Sequence, residues 1–228
     1  MRYFFIPIFF FNIFSFFTTY SFAEFNYYVS IDPTKYYKNL KNRSYNDKIG
    51  RKDLWIDKSI KFFGINIGIL TISDTRNFDN DKSGSTLIKL VEDCGHTCIL
   101  RDIVKDEPKE LLSIFNKWTN NKNLDVIITT GGTGLTGRDI TVDVLETYFD
   151  KKIDGFGELF RYISYKKIGT STIQSRATAG TKSGKYIFCL PGSPSACKDA
   201  WEEILKFQLD IRHKPCNFVE IMSRLNET

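Results

Sequence analysis

Residues 126–141 read VIITTGGTGLTGRDIT, an apolar β-type run that ends in a glycine-rich turn and an acidic residue. Gly132, Gly134 and Gly137 satisfy the spacing G-x-G-x-x-G, and such a turn lets backbone amides approach a phosphate where side chains would block it. A dinucleotide-binding turn follows the first strand of its domain and is answered by an acidic residue about twenty positions on, at the end of the next strand. Here two βα units precede the motif, and Glu158, at that distance, falls in GFGELF, which is no strand. A P-loop is excluded because Gly132 and Gly137 are followed by Arg138-Asp139 in place of Lys-Ser/Thr. What remains is a glycine turn for phosphate with Asp139 directly behind it, and Asp106 in the equivalent place after the preceding strand. Singly, each suits a helix start: Asp139 as N-cap of a helix from near Ile140, and Asp106 ahead of Glu107-Pro108. Together, two carboxylates beside phosphate oxygens suit Mg2+.

The elements that must position these residues are legible from Gly64 onward. INIGILTI, TCILRDIV, DVIITT and KYIFCL have the apolar, β-branched character of buried strands, while STLIKLVED, PKELLSIFNKWT, TVDVLETYF and SACKDAWEEILKFQL have helical spacing. GFGELFRYIS reads as irregular. The alternation predicts a three-layer, doubly wound α/β sandwich with a mostly parallel sheet. Ligands of such sheets sit outside the carboxyl ends of the strands, so four loops should carry the chemistry: SDTRNFDNDKSG (73–84), KDEPKE (105–110), GGTGLTGRD (131–139) and PGSPS (191–195). Each joins small, hydroxyl or carboxylate residues to a helix N-terminus, where amides and the helix dipole favour an anion.

Composition narrows the classes. The net charge of +5 lies in the prefix: residues 1–64 hold ten Lys/Arg against five Asp/Glu, leaving twenty-two of each in residues 65–228. A neutral core has no electrostatic footprint for nucleic acid. Cys94, Cys98, Cys189, Cys197 and Cys216 include no C-x-x-C pair, which argues for reduced thiols over a disulfide framework or zinc knuckle. In Cys94-Gly95-His96-Thr97-Cys98, Gly95 reads as the left-handed residue that ends a helix. The core contains no stretch long and apolar enough for a membrane helix. Residues 1–24 have an early cation, a short aromatic-rich apolar run and Ser21-Phe22-Ala23, the pattern of a secretory signal; translation from too early a start fits equally well. Residues 25–63 read as a linker or disordered arm, and residues 64–228 as the domain.

ITTGGTGLTGRDIT, GFGELFR, IGTSTIQSRATAG, LPGSPSACKDAWEEI and RHKPCNF lie in one register between about Ile65 and Phe218. Together they resemble the MoaB/MogA family of molybdenum cofactor biosynthesis proteins, nearest its B branch. The resemblance implies a molybdopterin-binding fold, a homotrimer or homohexamer, a cytoplasmic location unless residues 1–24 export the chain, and other cofactor-biosynthesis proteins as partners. It also implies molybdopterin as ligand and, in catalytically active members, its adenylylation by Mg-ATP; the alternative is a pterin carrier or scaffold without transferase activity. By matched motif, Gly131, Gly132, Thr133 and Gly134 would receive a phosphate, while Asp106 and Asp139 would position Mg2+ and the reacting groups. Ser73, Asp74, Asp81 and Ser83 would line the first loop, and Ser175, Arg176, Gly192, Ser193 and Ser195 would close the pocket, with Arg176 as a bidentate phosphate contact. Phe156, Phe160 and Tyr162 are expected at an interface between copies. Val142 departs from the family, whose adenylyltransferases often carry proline there.

Overall fold

The structure is a computed structural model that describes residues 56–227; the signal-like segment 1–24 and most of the arm lie outside the described residues. Six strands form one sheet in the order β2-β1-β3-β6-β5-β4. They are β1 (Asn66–Ile72), β2 (Thr97–Val104), β3 (Val126–Thr130), β4 (Lys151–Lys152), β5 (Thr178–Lys182) and β6 (Lys185–Leu190). β1, β2, β3 and β6 run parallel, whereas β5 pairs antiparallel with both β6 and β4. The helices are α1 (Lys82–Asp93), α2 (Pro108–Thr119), α3 (Thr141–Tyr148), α4 (Asp154–Ile168) and α5 (Pro194–Ala200). α5 continues through a π-helical turn, Trp201–Leu205, into α6 (Lys206–Gln208), and a short α7 spans Phe218–Ile221.

Side-chain alternation along the strands builds two cores. Ile67, Ile69, Val126, Ile128 and Phe188 pack toward Leu87 and Val91 of α1, Phe156 and Phe160 of α4, and Trp201. Leu70, Ile127, Ile187 and Cys189 face Leu111, Ile114, Phe115 and Trp118 of α2 and Leu145 of α3. The spacing 111, 114, 115, 118 is one helical stripe, and Pro108 at the first turn of α2 lacks an N–H the helix could not have used. Burying one such large side chain stabilises the fold by roughly 1.5–3 kcal/mol. The sandwich and its mostly parallel sheet are as expected. Among the described residues no helix is long and apolar enough to cross a membrane.

Three local readings need correction. GFGELFRYIS is the body of α4, not an irregular passage. Two glycines in its first turn lower helix propensity, and burial of Phe156 and Phe160 against the sheet overrides that cost. Those two phenylalanines therefore fill the intrachain core instead of facing another copy, while Tyr162 is exposed. The β5–β6 hairpin turns at Ser183-Gly184, both at positive φ (50° and 75°), a two-residue turn that the Ser-Gly pair signals. Elsewhere, Gly95 has φ 86° after α1, as its place before β2 requires. Residues 56–63, read as part of the arm, are tied to the C-terminal segment: Ile56 bridges His213, Asp57 N–H donates to Arg212 O (2.8 Å), and Arg212 lies over the Phe62 ring.

Candidate phosphate site

Because β2 and β3 flank β1 on opposite sides, the chain reverses direction across the sheet between β1 and β3, the place where sheets of this kind take their ligands. The glycine loop leaves β3 at that place. Gly131 and Gly132 follow β3 at φ 108° and 65°, conformations open to glycine at little cost. Gly131 N–H donates to Leu190 O (3.0 Å), and a Cβ there would run into the Ile72 carbonyl, so the ends of β1, β3 and β6 meet at this glycine. A side chain at Gly132 would run into Thr141 Oγ1 and come within 2.5 Å of Asp106 Oδ2. One at Gly134 would come within 2.6 Å of Asp139 Oδ2. Each carboxylate thus lies against one glycine of the loop.

Neither carboxylate caps the helix expected of it. Ile140 occupies the N-cap position of α3 and Glu107 that of α2, both without a side-chain cap bond. Asp106 instead reaches across to α3, accepting from Thr141 Oγ1 (3.0 Å) and weakly from Ile140 N–H (3.4 Å), and is 6% exposed. Burial pushes its carboxyl above the usual range; the Asp139 and Asp74 charges add to this, and the Thr141 and Ile140 bonds oppose it. Asp139 folds back on its own loop, accepting at Oδ2 from Thr136 Oγ1 (2.6 Å) and Thr136 N–H (2.9 Å). The Thr136 hydroxyl bond above all holds Asp139 below the usual range, with burial opposing it. Among the described residues no three His, Cys, Asp or Glu side chains are grouped to hold a metal ion unaided. Mg2+ fits here only with ligand oxygens completing its shell, the arrangement normal for a phosphate-bound Mg2+.

The first and last loops are knitted to this centre. Ser73 Oγ accepts from the amides of Thr75 and Arg76 (3.2 Å each), and its own N–H donates to Val104 O (2.9 Å). Asp74 accepts twice from Arg138 (2.9 and 3.0 Å), which also donates to Glu107 (2.8 Å), so three loops meet at one guanidinium on the rim. Asp81 and Ser83 lie beneath the surface, at 1% and 0% exposure. Asp81 caps α1 through Gly84 N–H (2.9 Å) and accepts from Thr71 Oγ1 (2.7 Å) and Arg101 (3.3 Å). Burial works against its charge, and those three donors more than offset it, leaving the carboxyl below its usual range. Arg76, which the sequence did not single out, bonds Ser83 Oγ and Gly192 O, tying the first loop to the last. Ser193 caps α5 through Ala196 N–H (3.2 Å), and Ser193 and Ser195 hydroxyls are 3.3 Å apart.

Thr133 is buried at the loop's start, and its carbonyl accepts from Arg176 N–H (3.1 Å). Ser175 and Arg176 line a groove of about 580 Å³ between α3, α4 and the segment leading into β5, together with Val142, Lys152, Glu158, Arg161 and Ile173. Arg176 stands between groove and glycine loop, donating to Gly134 O and to Asp143. The structure therefore puts Ser175 and Arg176 on the groove, Asp106 and Asp139 against the glycine loop, and Asp81 and Ser83 buried beneath the first loop. Thr141, Arg76 and Asp143 belong to the site as well. Thr141 follows Asp139 by two residues in the quoted motif, and that proximity is the signal by which the sequence could have pointed to it.

A mostly parallel sheet between two helical layers, with glycine, carboxylate and hydroxyl loops at one strand edge, places the chain among the doubly wound α/β proteins. The sequence family described as "Probable molybdopterin binding domain" matches residues 68–210. Molybdenum cofactor biosynthesis protein B of Escherichia coli K12 is 42% identical over 160 residues, covering 70% of this chain and 94% of that protein. Its namesake in Staphylococcus aureus MRSA252 is 44% identical over 154 residues, covering 64% and 88%. A crystal structure of a molybdenum cofactor biosynthesis protein B aligns with a TM-score of 0.66 at 36% identity, over 73% of this chain and 98% of that one. The tungsten cofactor synthesizing protein MoaB from Pyrococcus furiosus aligns with a TM-score of 0.56 at 36% identity, over 62% and 91%. The chain belongs to the MoaB/MogA family of molybdenum cofactor biosynthesis proteins.

Proposed function

We propose that this chain acts in molybdenum cofactor biosynthesis by binding molybdopterin and Mg-ATP at the glycine-loop edge and adenylylating the pterin's terminal phosphate. The observation that carries the reading is the pair Asp106 and Asp139, which follow successive strands and lie against Gly132 and Gly134 respectively. Bound Mg2+ would be held by these carboxylates with phosphate oxygens and supplies charge neutralisation. The amides of the loop receive the phosphate, and the walls at Ser73, Asp74, Ser175, Gly192, Ser193 and Ser195 bound the pocket. In the transfer, a pterin phosphate oxygen forms a bond to the α-phosphorus of ATP while the α–β bridging bond breaks and its electron pair leaves with pyrophosphate. The nucleophile is already an anion, so alignment and charge matter more than a base, in keeping with a site that contains no histidine.

A second reading, a pterin carrier without transferase activity, has its own observation. Arg138 is paired with Asp74 and Glu107, Arg176 with Asp143, and Arg76 with Ser83 and Gly192 O, so the arginines nearest the loop are engaged within the chain. Incubation with molybdopterin and Mg-ATP separates the two: adenylylated pterin with released pyrophosphate supports the enzyme, and pterin binding without either product supports the carrier. Asp106→Asn and Asp139→Asn should weaken Mg-ATP binding in calorimetry while leaving thermal unfolding cooperative; normal binding by both variants would refute the metal role.

The same proposal places the protein in the cytoplasm, where Mg-ATP and molybdopterin are available, and mass spectrometry of the native N-terminus tests it against cleavage after Ala23. Assembly as a homotrimer or homohexamer is supported by Leu159, Tyr162, Tyr165, Ile168 and Ile173, exposed along α4 and the turn after it. Sedimentation as a monomer at micromolar concentration would refute it. Other cofactor-biosynthesis proteins are expected to dock at the same edge to pass on the pterin.

A further inference from the structure

Arg176 has the chemistry of a phosphate ligand, but its donors are turned onto the protein. Nε donates to Gly134 O (2.8 Å), one terminal nitrogen donates to Asp139 O, and the other reaches both carboxylate oxygens of Asp143 (2.8 and 3.0 Å). The Arg176 backbone N–H adds a bond to Thr133 O (3.1 Å). Three carbonyls of the glycine loop, those of Thr133, Gly134 and Asp139, are thus drawn to one residue. In a trans peptide the carbonyl and the following N–H point in opposite directions. Fixing those carbonyls on Arg176 therefore faces the amides of Gly134, Leu135 and Ile140 away from it. The Ile140 amide donates to Arg138 O (3.1 Å) and weakly to Asp106 Oδ2 (3.4 Å), neither of them an atom of Arg176.

The segment carrying Arg176 is itself held from behind. Arg161 of α4 donates to Ala177 O (3.1 Å) and, at the limit of bonding distance, to Ser175 O (3.5 Å). Asp143 sits in the first turn of α3, two residues past Thr141, and its side chain is 62% exposed. An ion pair so open to water contributes little to folding. Its geometry is what matters, because a carboxylate that takes one edge of the guanidinium leaves the other nitrogens aimed at the loop carbonyls.

We propose that Arg176 is a positioning residue that sets which way the glycine-loop amides face, and that Asp143 holds Arg176 in the orientation that does so. Its effect on ligands rests on the reading of the loop as a phosphate receiver; the brace itself does not. Two substitutions distinguish a brace from a direct phosphate contact. Arg176→Lys keeps the charge but loses the planar fork, so a brace fails and a contact is largely kept. Asp143→Asn frees the guanidinium, so a contact is kept or improved and a brace is weakened.

The test is amide hydrogen exchange of residues 133–140 in the free protein, beside calorimetric titration of each variant with Mg-ATP and with molybdopterin, and thermal melts. We expect both substitutions to raise exchange in the loop and to weaken binding by about tenfold, the effect of one or two lost hydrogen bonds, with melting little changed. Unchanged loop exchange in either variant overturns the brace. Raised exchange with unchanged affinity, or tighter binding by Asp143→Asn, overturns its claim on ligand binding. If the parent protein binds neither ligand, the functional reading of the site falls, and the exchange measurement still decides the brace.

Discussion

The three glycines of G-x-G-x-x-G are equal in the motif and unequal in the structure, and alanine at each position measures the difference. Gly132 has φ 65°, which costs an L-residue about 1–2 kcal/mol. Its new methyl would also press on Thr141, fully buried, and on Asp106, 6% exposed, at 2.5 Å from Oδ2. Neither neighbour is the far end of a flexible chain on the surface, and overpacking of this kind costs about 1–3 kcal/mol. Gly132→Ala should therefore lose about 2–5 kcal/mol of stability. A methyl at Gly137 would meet no heavy atom within 4 Å, and the φ there is not positive. Gly137→Ala should be neutral or gain up to about 1 kcal/mol by restricting the unfolded chain. Gly134→Ala has the Asp139 carboxylate as its nearest neighbour, at 2.6–3.0 Å, so it should cost less stability than Gly132→Ala and act on Asp139. Urea unfolding of the three variants followed by circular dichroism gives the comparison. Stabilities of Gly132→Ala and Gly137→Ala within about 0.5 kcal/mol of each other, the scatter of ordinary surface substitutions, would refute the assignment of strain and crowding to Gly132.

Thiol reactivity should divide by burial: Cys189 and Cys197, whose thiols burial pushes up to about 12 and about 11, should resist alkylation at pH 8 until the protein unfolds, while exposed Cys216 reacts at once. Site-resolved mass spectrometry reads the result, and equal rates would refute it. His96 is 5% exposed and accepts from Ile65 N–H (3.3 Å); burial lowers its pKa below the ordinary 6.5, with the Asp210 charge opposing. The folded state then takes up a proton less readily than the unfolded one, so stability present above pH 6.5 falls as pH drops from there toward the lowered folded value. Urea unfolding between pH 7.5 and 5 should show a steeper loss for the parent than for His96→Asn. A chain starting at Leu54 should unfold like the full protein. One starting at Ile65, which lacks the Ile56, Asp57 and Phe62 contacts, should melt several degrees lower.

How far the fold can be read depends on whether the local pattern and the tertiary context agree. β1, β3 and β6 are near-continuous apolar runs because both faces of a parallel sheet are covered, and no other element type competes for such sequences. α4 escapes a local reading because its first turn holds Gly155 and Gly157, and propensity gives no sign of the strand and helices that receive Phe156 and Phe160. β5 escapes it for the opposite reason: TAGTK carries little apolar signal of its own and is a strand through its pairing with β6 across the Ser183-Gly184 turn.

At the site, the sequence indicates which loops share an edge, because parallel strands put all their carboxyl ends on one side. It does not indicate which polar groups spend their bonding capacity on one another. Asp139 and Asp106 both read as helix caps, yet one folds back on Thr136 and the other reaches thirty-five residues along the chain to Thr141. Arg176 shows the same limit from the side of the donors. A guanidinium near a glycine loop reads as a ligand for phosphate until the carbonyls of Gly134 and Asp139 and the carboxylate of Asp143 are found to occupy it. A residue's type fixes what bonds it can make, and only the third dimension shows which partners reach it first. In this loop the protein's own carbonyls, those of Thr133, Gly134 and Asp139, are the partners that reach the arginine.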